Sequence, residues 1–249
     1  MATEITYWRA YERFRSTNTY EHVLTETLRT MHGQVVLDLS SVNTCLALGC
    51  GDGRSDLKFI KELAGNVTKF IGVERDHEST ERLKDNLRKN LPRVDMQVIE
   101  TDLRSWKGPD EQVDLVLLFN LLYYLNRNER QVLFHNLQQH WLTKGGYVAI
   151  VHATRRSASL ALWEKLQCPL LVWDDIERDM LEAGFSKVHE YKMVAVIDHS
   201  DPDEYLLYFF QVLVGRTLTL DELRHAIKAA SPDGKFQQTY CIAIPQRTH

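Results

Sequence analysis

The sequence predicts an α/β protein with a doubly wound, mostly parallel seven-stranded sheet. From residue 44 to residue 151, short apolar runs alternate with amphipathic segments of helical period. Strands separated by helices are typical of parallel sheets, because each connection between parallel strands has to cross a face of the sheet. A glycine-rich turn follows the first of these strands, and acidic residues follow the next two. We therefore expect a ligand-binding crevice at the carboxyl edge of the sheet.

Apolar periodicity places the elements of the N-terminal half. We predict two helices within residues 4–32 that are separated by a polar break at 17–19, strands at 44–48, 69–73, 96–99 and 113–119, and a helix at 55–63. Asp76 precedes a charged segment and is the expected N-cap of a helix that ends near Asn90. The run at 113–119 is almost entirely apolar, which indicates a central strand buried on both faces.

The alternation continues in the C-terminal half and loosens after residue 151. We predict a helix at 128–141 that Gly145 and Gly146 terminate, a strand at 147–151, helices at 157–167 and 174–183, a strand at 188–196, helices at 202–213 and 220–230, and a closing strand at 237–244. The six elements after residue 151 lie outside the regular succession of strand and helix. We expect them to extend the sheet and to cover its carboxyl edge.

Composition and charge exclude several classes of function. Hydrophobic residues make up 44% and charged residues 26% of the chain, as in average soluble globular proteins. The formal net charge of −4 and the pI of about 6.2 argue against a nucleic-acid partner, because such a protein needs a basic face. The N-terminal segment has no apolar run, so we expect neither a signal peptide nor a membrane anchor. Four cysteines without metal-binding spacing favour a reduced, cytoplasmic protein without a metal site, and a monomer is the simplest expectation.

The turn Gly49-Cys-Gly-Asp-Gly53 lies between a predicted strand and a predicted helix. Glycine tolerates positive φ angles and lets a ligand approach the backbone closely, although the same spacing also occurs in purely structural turns. Glu74 ends the second strand about twenty residues later, where doubly wound folds place an acid that binds a ribose diol. Asp102 ends the third strand, where its carboxylate or backbone amide would meet an adenine edge. Helix-capping or solvated roles are the alternatives for both acids, but their alignment at one sheet edge favours a nucleotide-like cofactor.

A dinucleotide fingerprint needs its third glycine where this chain has Arg54, so the spacing favours S-adenosylmethionine. Over residues 40–153 the sequence resembles the class I S-adenosylmethionine-dependent methyltransferases, through the segments 46–53, 72–76, 100–103 and 113–122. The resemblance implies S-adenosylmethionine as cofactor and S-adenosylhomocysteine as product. It also implies that the cofactor is bound by Gly49, Cys50, Gly51, Glu74, Arg75, Asp102, Leu103, Phe119 and Asn120.

Under this resemblance we predict a single methyltransferase domain over residues 1–249. Residues 1–32 would form an N-terminal helical lid, and residues 40–153 would form the cofactor-binding core. The segments 155–183 and 199–232 would be helical insertions that cover the substrate.

A second set of motifs resembles the histamine N-methyltransferase family. These are Asn120-Leu-Leu-Tyr-Tyr124, the N-terminal aromatic residues with Glu21-His22, and the turn at 197–200 with the helix after it. The resemblance implies that Glu21, Asn120 and Gln238 position the polar groups of the substrate. It further implies an aromatic wall formed by Tyr7, Tyr11, Tyr123, Tyr124, Trp163 and Phe210. The family has Gln in place of Asn120 and Asn in place of Gln238, a difference in reach that can shift substrate selectivity by roughly 1 kcal/mol.

These residues predict an N-methyltransferase of a small imidazole or biogenic amine that works by direct in-line transfer. The sulfonium supplies the leaving group, so the protein has to align the reactants and exclude water, and no covalent residue is required. Glu21 would pair with a substrate ammonium, and Asn120 or Glu21 would select the neutral nitrogen that attacks. Methylation of another small N- or O-nucleophile, and cofactor binding without turnover, are the alternatives. The histidines at 22, 77, 135, 140, 152 and 189 share no metal or base spacing, so we assign them no catalytic role.

Overall fold

The computed structural model describes residues 5–33, 38–168, 170–186 and 189–247. Its seven strands are β1 (Thr44–Leu48), β2 (Lys69–Glu74), β3 (Asp95–Glu100), β4 (Val113–Phe119), β5 (Leu142–Ala153), β6 (Glu190–Asp198) and β7 (Lys235–Ala243). They form one sheet in the order β3-β2-β1-β4-β5-β7-β6. The predicted start of the sixth strand at Val188 lies outside the described residues.

Most of the sheet is parallel. Strands β1 to β5 pair with one another only in parallel, and β7 runs antiparallel to both β5 and β6. Leu46 in β1 pairs with Ile71 in β2 on one side and with Val116 in β4 on the other. Strands β1 and β4 are central and almost fully buried, as their continuous apolar runs predict. The predicted doubly wound, mostly parallel seven-stranded sheet is confirmed.

Helices flank both faces of this sheet. The helices are α1 (Tyr7–Ser16), α2 (Tyr20–Gly33), α3 (Arg54–Leu63), α4 (His77–Asn90), α5 (Arg127–Asn136), α6 (Leu160–Lys165), α7 (Trp173–Glu182), α8 (Glu204–Val214) and α9 (Leu220–Ala230). Leu24, Phe59 and Leu83 bring α2, α3 and α4 into the apolar core on one face. Phe134 and Ile176 bring α5 and α7 into the core on the other face. The predicted cap of α4 is also present, because the Asp76 side chain accepts a hydrogen bond from the Ser79 backbone N–H.

The segment before the fifth strand differs from the prediction. The helix predicted over 128–141 ends as α5 at Asn136, and a single π-helical turn covers 137–141. The glycines expected to terminate the helix lie inside β5 instead, which begins at Leu142. Gly145 has a positive φ of 79°, and the pairing register with β4 shifts between Val113 and Leu115. An irregularity of this kind lets a strand continue through a glycine pair that sequence reasoning interprets as a stop.

The N-terminal segment crosses the carboxyl edge of the sheet. Between α1 and α2, the Thr19 N–H donates to the Val196 carbonyl oxygen and the Asp198 N–H donates to the Thr17 carbonyl oxygen, which ties this segment to the edge strand β6. Phe14 of α1 stacks on Phe209 of α8 with ring centroids 4.3 Å apart. Leu162, Phe210 and Ile227 join α6, α8 and α9 in a third apolar cluster beside β6 and β7. None of the helices in the described part of the chain has the length and apolar character needed to cross a membrane.

Candidate functional site

The turn after β1 places glycine where no side chain would fit. Gly49, Gly51 and Gly53 have φ angles of 59°, 54° and 74°. A Cβ at Gly49 would lie 2.4 Å from the side chain of Leu121, and one at Gly53 would lie 2.4 Å from Leu83. A Cβ at Gly51 would meet nothing within 4 Å. The outer two glycines therefore allow close packing, whereas the backbone of Gly51 faces open space.

Glu74 connects this turn to the end of β2. Its Oε2 accepts a hydrogen bond from the Gly51 N–H at 2.9 Å, and its Oε1 accepts from the N–H groups of Arg75 and Asp76 at 2.8 and 2.9 Å. A carboxylate has about four acceptor positions, so Glu74 retains the capacity to accept further hydrogen bonds. The strand end and the glycine turn thus form one rigid unit.

A cavity of about 120 Å³ opens beside this unit, and we call it the loop cavity. All nine residues predicted to bind a cofactor line it: Gly49, Cys50, Gly51, Glu74, Arg75, Asp102, Leu103, Phe119 and Asn120. Its wall is strongly charged. The charged residues among its described lining are Arg15, Asp52, Asp56, Glu74, Arg75, Asp102 and Arg104.

Two carboxyl groups of the loop cavity differ in their state of protonation. Asp102 pairs with Arg104, and the hydrogen bond from that guanidinium lowers the pKa of Asp102 to about 2. Asp56 is fully buried in the first turn of α3, and burial raises the pKa of its carboxyl to about 8. The negative charges of Asp52, Glu21 and Glu74 add to this rise. At neutral pH, Asp102 is ionised, whereas Asp56 is mostly protonated.

Arg15 of α1 holds the N-terminal helices against the glycine turn. Its guanidinium pairs with Asp52 at 3.1 Å and with Glu21 at 2.7 Å. Lys58 pairs with Glu21 at 2.6 Å, and the Ser55 hydroxyl donates to the same carboxylate. Burial alone would raise the pKa of Glu21, but the two cations lower it below its usual range.

Glu21 lines neither cavity described here, contrary to the prediction that it contacts a substrate. The physical reason is that two cations and a hydroxyl already occupy its carboxylate. In this structure Glu21 connects α2 to α3 and to α1, and it does not face a ligand.

A second cavity, of about 160 Å³, adjoins the first, and we call it the aromatic cavity. Of the predicted substrate-binding residues, those that line it are Tyr11, Asn120, Tyr123, Trp163 and Gln238. Tyr11, Asn120, Tyr123 and also Arg15 line both cavities, so the two spaces meet at these four side chains. Asn120 follows β4 with a φ of 52°, a left-handed conformation that asparagine tolerates better than most residues.

Three predicted wall residues lie elsewhere. Tyr7 and Tyr124 line the loop cavity, where their hydroxyl oxygens are 3.0 Å apart. Phe210 lines neither cavity, because its ring is buried in the third apolar cluster against Trp163. Its neighbour Phe209 lines the aromatic cavity instead. One residue turns the direction of a helical side chain by about 100°, so the predicted and observed residues point to different sides of α8.

The polar groups of the aromatic cavity are uncharged, with the exception of Arg15. No acidic residue is among the described residues that line it. Gln238 accepts a hydrogen bond from the Ser159 hydroxyl. The hydroxyl of Tyr20 has no hydrogen-bond partner among the described residues, although this side chain is only 7% exposed. Burial lowers the pKa of His152 to about 4, so its ring is neutral at pH 7.

The lining residues of the aromatic cavity that were not identified from the sequence include Tyr20, His152, Phe209 and Tyr240. Tyr240 lies two residues after Gln238 in β7, so strand alternation alone would have placed both on one face. Tyr20 and Phe209 are direct neighbours of the residues that were chosen, Glu21 and Phe210. For His152, no spacing in the sequence signalled a role.

Residues 45–146 match the profile of a family described as a methyltransferase domain. The matched segment runs from β1 to the start of β5 and includes the glycine turn, Glu74, Asp102 and Asn120. A search of curated proteins returns no significant match to this chain.

Solved structures share the fold at low sequence identity. A protein from Bacillus halodurans C-125, provisionally described as a methyltransferase, has a TM-score of 0.63 and 12% identity over 89% of this chain and 99% of its own. The N-methyltransferase NodS from Bradyrhizobium japonicum WM9, in complex with S-adenosylhomocysteine, has a TM-score of 0.54 and 15% identity over 89% and 87%. The geranyl diphosphate C-methyltransferase from Streptomyces coelicolor A3(2) has a TM-score of 0.53 and 15% identity over 88% and 78%. The chain therefore shares the Rossmann-like fold of these methyltransferases, one of which is described in complex with S-adenosylhomocysteine.

The lining of the loop cavity suits S-adenosylmethionine, the cofactor that the sequence resemblance implies. Gly51 leaves room for a ligand beside its backbone, and Glu74 keeps acceptor capacity for hydroxyl groups. Leu103 and Phe119 add apolar surface to the same wall. No group of three or more His, Cys, Asp or Glu side chains is placed to hold a metal ion in the part of the chain that the structure describes.

Proposed function

We propose that the chain transfers a methyl group from S-adenosylmethionine to a neutral nitrogen of a small imidazole or amine. The observation that carries this proposal is the junction of the two cavities at Tyr11, Arg15, Asn120 and Tyr123. A donor in the loop cavity and an acceptor in the aromatic cavity would meet at these side chains. Direct transfer requires such a shared boundary, because both reactants must be in contact with no group between them.

On the donor side, the chain's own residues supply binding and orientation. Glu74 would accept hydrogen bonds from ribose hydroxyls, and the open backbone of Gly51 would allow the cofactor to approach. Asp102 and Leu103 would border the base, and the charged wall suits a ligand that carries an ammonium, a carboxylate and a sulfonium. The sulfonium provides an activated methyl group together with its leaving group, so the proposal needs no covalent protein residue.

On the acceptor side, the aromatic cavity favours a flat and uncharged ligand. Tyr11, Tyr123, Trp163 and Phe209 supply aromatic surface, and Asn120 and Gln238 supply amide groups. Since no described lining residue is acidic, a substrate ammonium would lack a carboxylate partner there. A buried charge without a partner is costly, so the neutral form of an amine or imidazole is favoured. The neutral form is also the one whose nitrogen lone pair can attack.

The same observation supports a second candidate, the methylation of a small aromatic hydroxyl. A phenol or enol is neutral, needs no counter-ion and would bind the same amides. The resemblance to histamine N-methyltransferases and the imidazole-sized cavity lead us to prefer nitrogen as the acceptor atom. Cofactor binding without turnover is the remaining alternative. The intact turn with its Glu74 partner supports cofactor binding, but it does not distinguish binding alone from binding with turnover.

The test uses the purified full chain. Isothermal titration with S-adenosylhomocysteine should give a saturable binding curve with one equivalent of ligand. Incubation with S-adenosylmethionine and a panel of histamine, other imidazoles, primary amines and phenols should then add one methyl group to an imidazole or amine, which mass spectrometry detects. Methylation of phenols alone would move the proposal to the second candidate. The absence of cofactor affinity would contradict both.

A further inference from the structure

His152 occupies a special position in the aromatic cavity. It lies near the end of β5, is 2% exposed and lines the cavity. The preceding residue, Val151, accepts a hydrogen bond from the backbone N–H of Asn120, so His152 is next to the junction of the two cavities. The ring of Tyr123 is 5.9 Å away between centroids. His152 therefore faces the same space as the residues that the proposed function assigns to the acceptor.

The hydrogen bonding of His152 determines its tautomer. Nε2 lies 3.1 Å from the carbonyl oxygen of Leu171. A carbonyl oxygen can only accept, so Nε2 carries the hydrogen and Nδ1 of the neutral ring retains its lone pair. Arg130 and Asp175 are the charged groups that act on the ring, and their effects on its pKa oppose each other. No described residue donates a hydrogen bond to Nδ1.

The other polar groups of the cavity present donors. The Tyr20 hydroxyl is buried and has no partner among the described residues. The oxygen of the Gln238 amide accepts from Ser159, which leaves its NH₂ group to donate. Buried polar groups without partners are rare in folded proteins and are satisfied by ligand or water. The cavity thus combines the Gln238 NH₂ donor with the Nδ1 lone pair of His152, while the Tyr20 hydroxyl and Asn120 can each serve in either role.

We propose that Nδ1 of His152 binds the methyl acceptor by accepting a hydrogen bond from its N–H or O–H group. In a neutral imidazole, an N–H group bound by His152 leaves the lone pair on the other ring nitrogen. That nitrogen is then the one available for methylation. This inference rests on the proposed function only in assigning the aromatic cavity to the acceptor, and no covalent step is part of it.

Two substitutions distinguish the roles of the two ring nitrogens of His152. In His152→Gln the side-chain amide reaches the former position of Nε2, so the donor to Leu171 is kept and the acceptor is lost. In His152→Asn the amide oxygen lies near the former position of Nδ1, so an acceptor is kept. The probes are 4-methylimidazole and 1,4-dimethylimidazole, together with phenol and anisole, since only the first member of each pair can donate. Binding is measured by isothermal titration of the full chain saturated with S-adenosylhomocysteine.

We expect the wild-type chain to bind the donating member of at least one pair about tenfold more tightly than its methylated partner. His152→Gln should abolish this preference, and His152→Asn should retain most of it. Affinity for S-adenosylhomocysteine should stay within about twofold in both variants, which also shows that they fold. A wild-type chain without preference, or a His152→Gln variant with an undiminished one, would overturn the inference.

A second measurement needs no variant. In protein labelled with ¹⁵N-histidine, the two ring nitrogens of His152 should report the Nε2–H tautomer from pH 6 to pH 9, because burial keeps the ring neutral. Addition of the preferred probe should shift the Nδ1 resonance. An unchanged Nδ1 resonance at saturation would refute the contact. If the donor preference is present but no methylated product forms from any compound, the proposed function fails while the role of His152 in binding stands.

Discussion

The loop cavity and the aromatic cavity share four side chains but differ in electrostatic character. Six charged residues and the mostly protonated Asp56 are among those that line the loop cavity, whereas Arg15 is the one permanently charged residue among the described lining of the aromatic cavity. A charged wall matches a charged ligand, and a neutral wall excludes one that brings an uncompensated charge. The charge of each cavity wall therefore discriminates between the two proposed ligands, independently of the contacts that are specific to either one. The predictions below test this division.

The largest loss of stability is expected at Arg15, the charged residue that both cavities share. Arg15→Met removes one of the two arginine partners of Asp52, which is almost fully buried and keeps Arg54, and one of the two cations bound to Glu21. We expect the free energy of unfolding to fall by about 2 kcal/mol, because two partly or fully buried carboxylates each lose one of their two counter-ions. Urea denaturation measures the change.

Arg13→Met is the matched control. Arg13 lies on the same helix and pairs with the more exposed Asp203. Exposed pairs contribute little, so this variant should lose less than about 1 kcal/mol. Equal losses in the two variants would contradict the role of Arg15 as the buried link between α1 and the glycine turn.

A substitution of Glu74 tests the loop cavity alone. Glu74→Ala removes the acceptor for ribose hydroxyls and the hydrogen bond that orients Gly51. We expect the Kd for S-adenosylhomocysteine to rise roughly 100-fold, or about 2.7 kcal/mol, which corresponds to one strong hydrogen bond to a charged group. Isothermal titration provides the value. Glu100→Ala, at the paired position of the neighbouring strand β3 but exposed, should change the Kd by less than about twofold.

Asp56 tests the electrostatics of the loop cavity through pH. Its folded pKa of about 8 lies above the usual value of 3.8, so the folded state keeps a proton that the unfolded state releases between these limits. The contribution of protonated Asp56 to the free energy of unfolding is therefore fully present below about pH 4 and is lost as the pH rises through 8. Asp56→Asn removes this loss, so its stability relative to wild type should rise by about 1–3 kcal/mol between pH 5 and pH 9.

Urea denaturation at several pH values checks this prediction. Asp85→Asn, a change on the exposed surface of α4, serves as the control and should show a constant difference from wild type. If the Asp56→Asn and wild-type curves are parallel over the whole range, Asp56 does not hold a proton in the folded state.

The smallest effect is expected in the aromatic cavity, at Ser159. Its hydroxyl donates to Gln238 and thereby fixes the orientation of that amide. Ser159→Ala should raise KM for the methyl acceptor about threefold and leave the cofactor Kd unchanged, because one neutral hydrogen bond is lost. Steady-state kinetics with the acceptor found in the panel provide KM. Ser157→Ala removes hydrogen bonds to the Thr239 backbone instead, so it should lower stability by about 1 kcal/mol without affecting KM.

The sequence predicted the loop cavity almost completely. A short apolar run followed by a glycine turn specifies a strand and a tight loop locally, and the parallel topology brings the ends of β1, β2 and β3 together. Every residue proposed for cofactor binding lines this cavity. The element boundaries were predicted to within a few residues, with β5 as the main exception, because the irregular pairing that carries the strand past Gly145 depends on β4.

The aromatic cavity was predicted in part. Tyr11, Asn120, Tyr123, Trp163 and Gln238 line it, but Glu21 and Phe210 do not. Glu21 does not face the cavity, because its carboxylate pairs with Arg15 and Lys58, which belong to two other helices. Periodicity within α8 does not reveal which of Phe209 and Phe210 faces the cavity, because both are buried and both contact other aromatic rings.

The sequence by itself thus determined the sheet, the glycine turn and the predicted cofactor-binding residues of the loop cavity, since apolar runs specify each strand locally and the parallel topology brings the strand ends together. Tertiary structure alone decided the charge of the acceptor side. Ion pairs that join α1, α2 and α3 hold Glu21 away from the aromatic cavity. His152 lines this cavity as a neutral ring, because it is buried and its Nε2–H donates to the Leu171 carbonyl oxygen. Ionisation and tautomer depend on what surrounds a group in three dimensions, and no local pattern of residues contains that information.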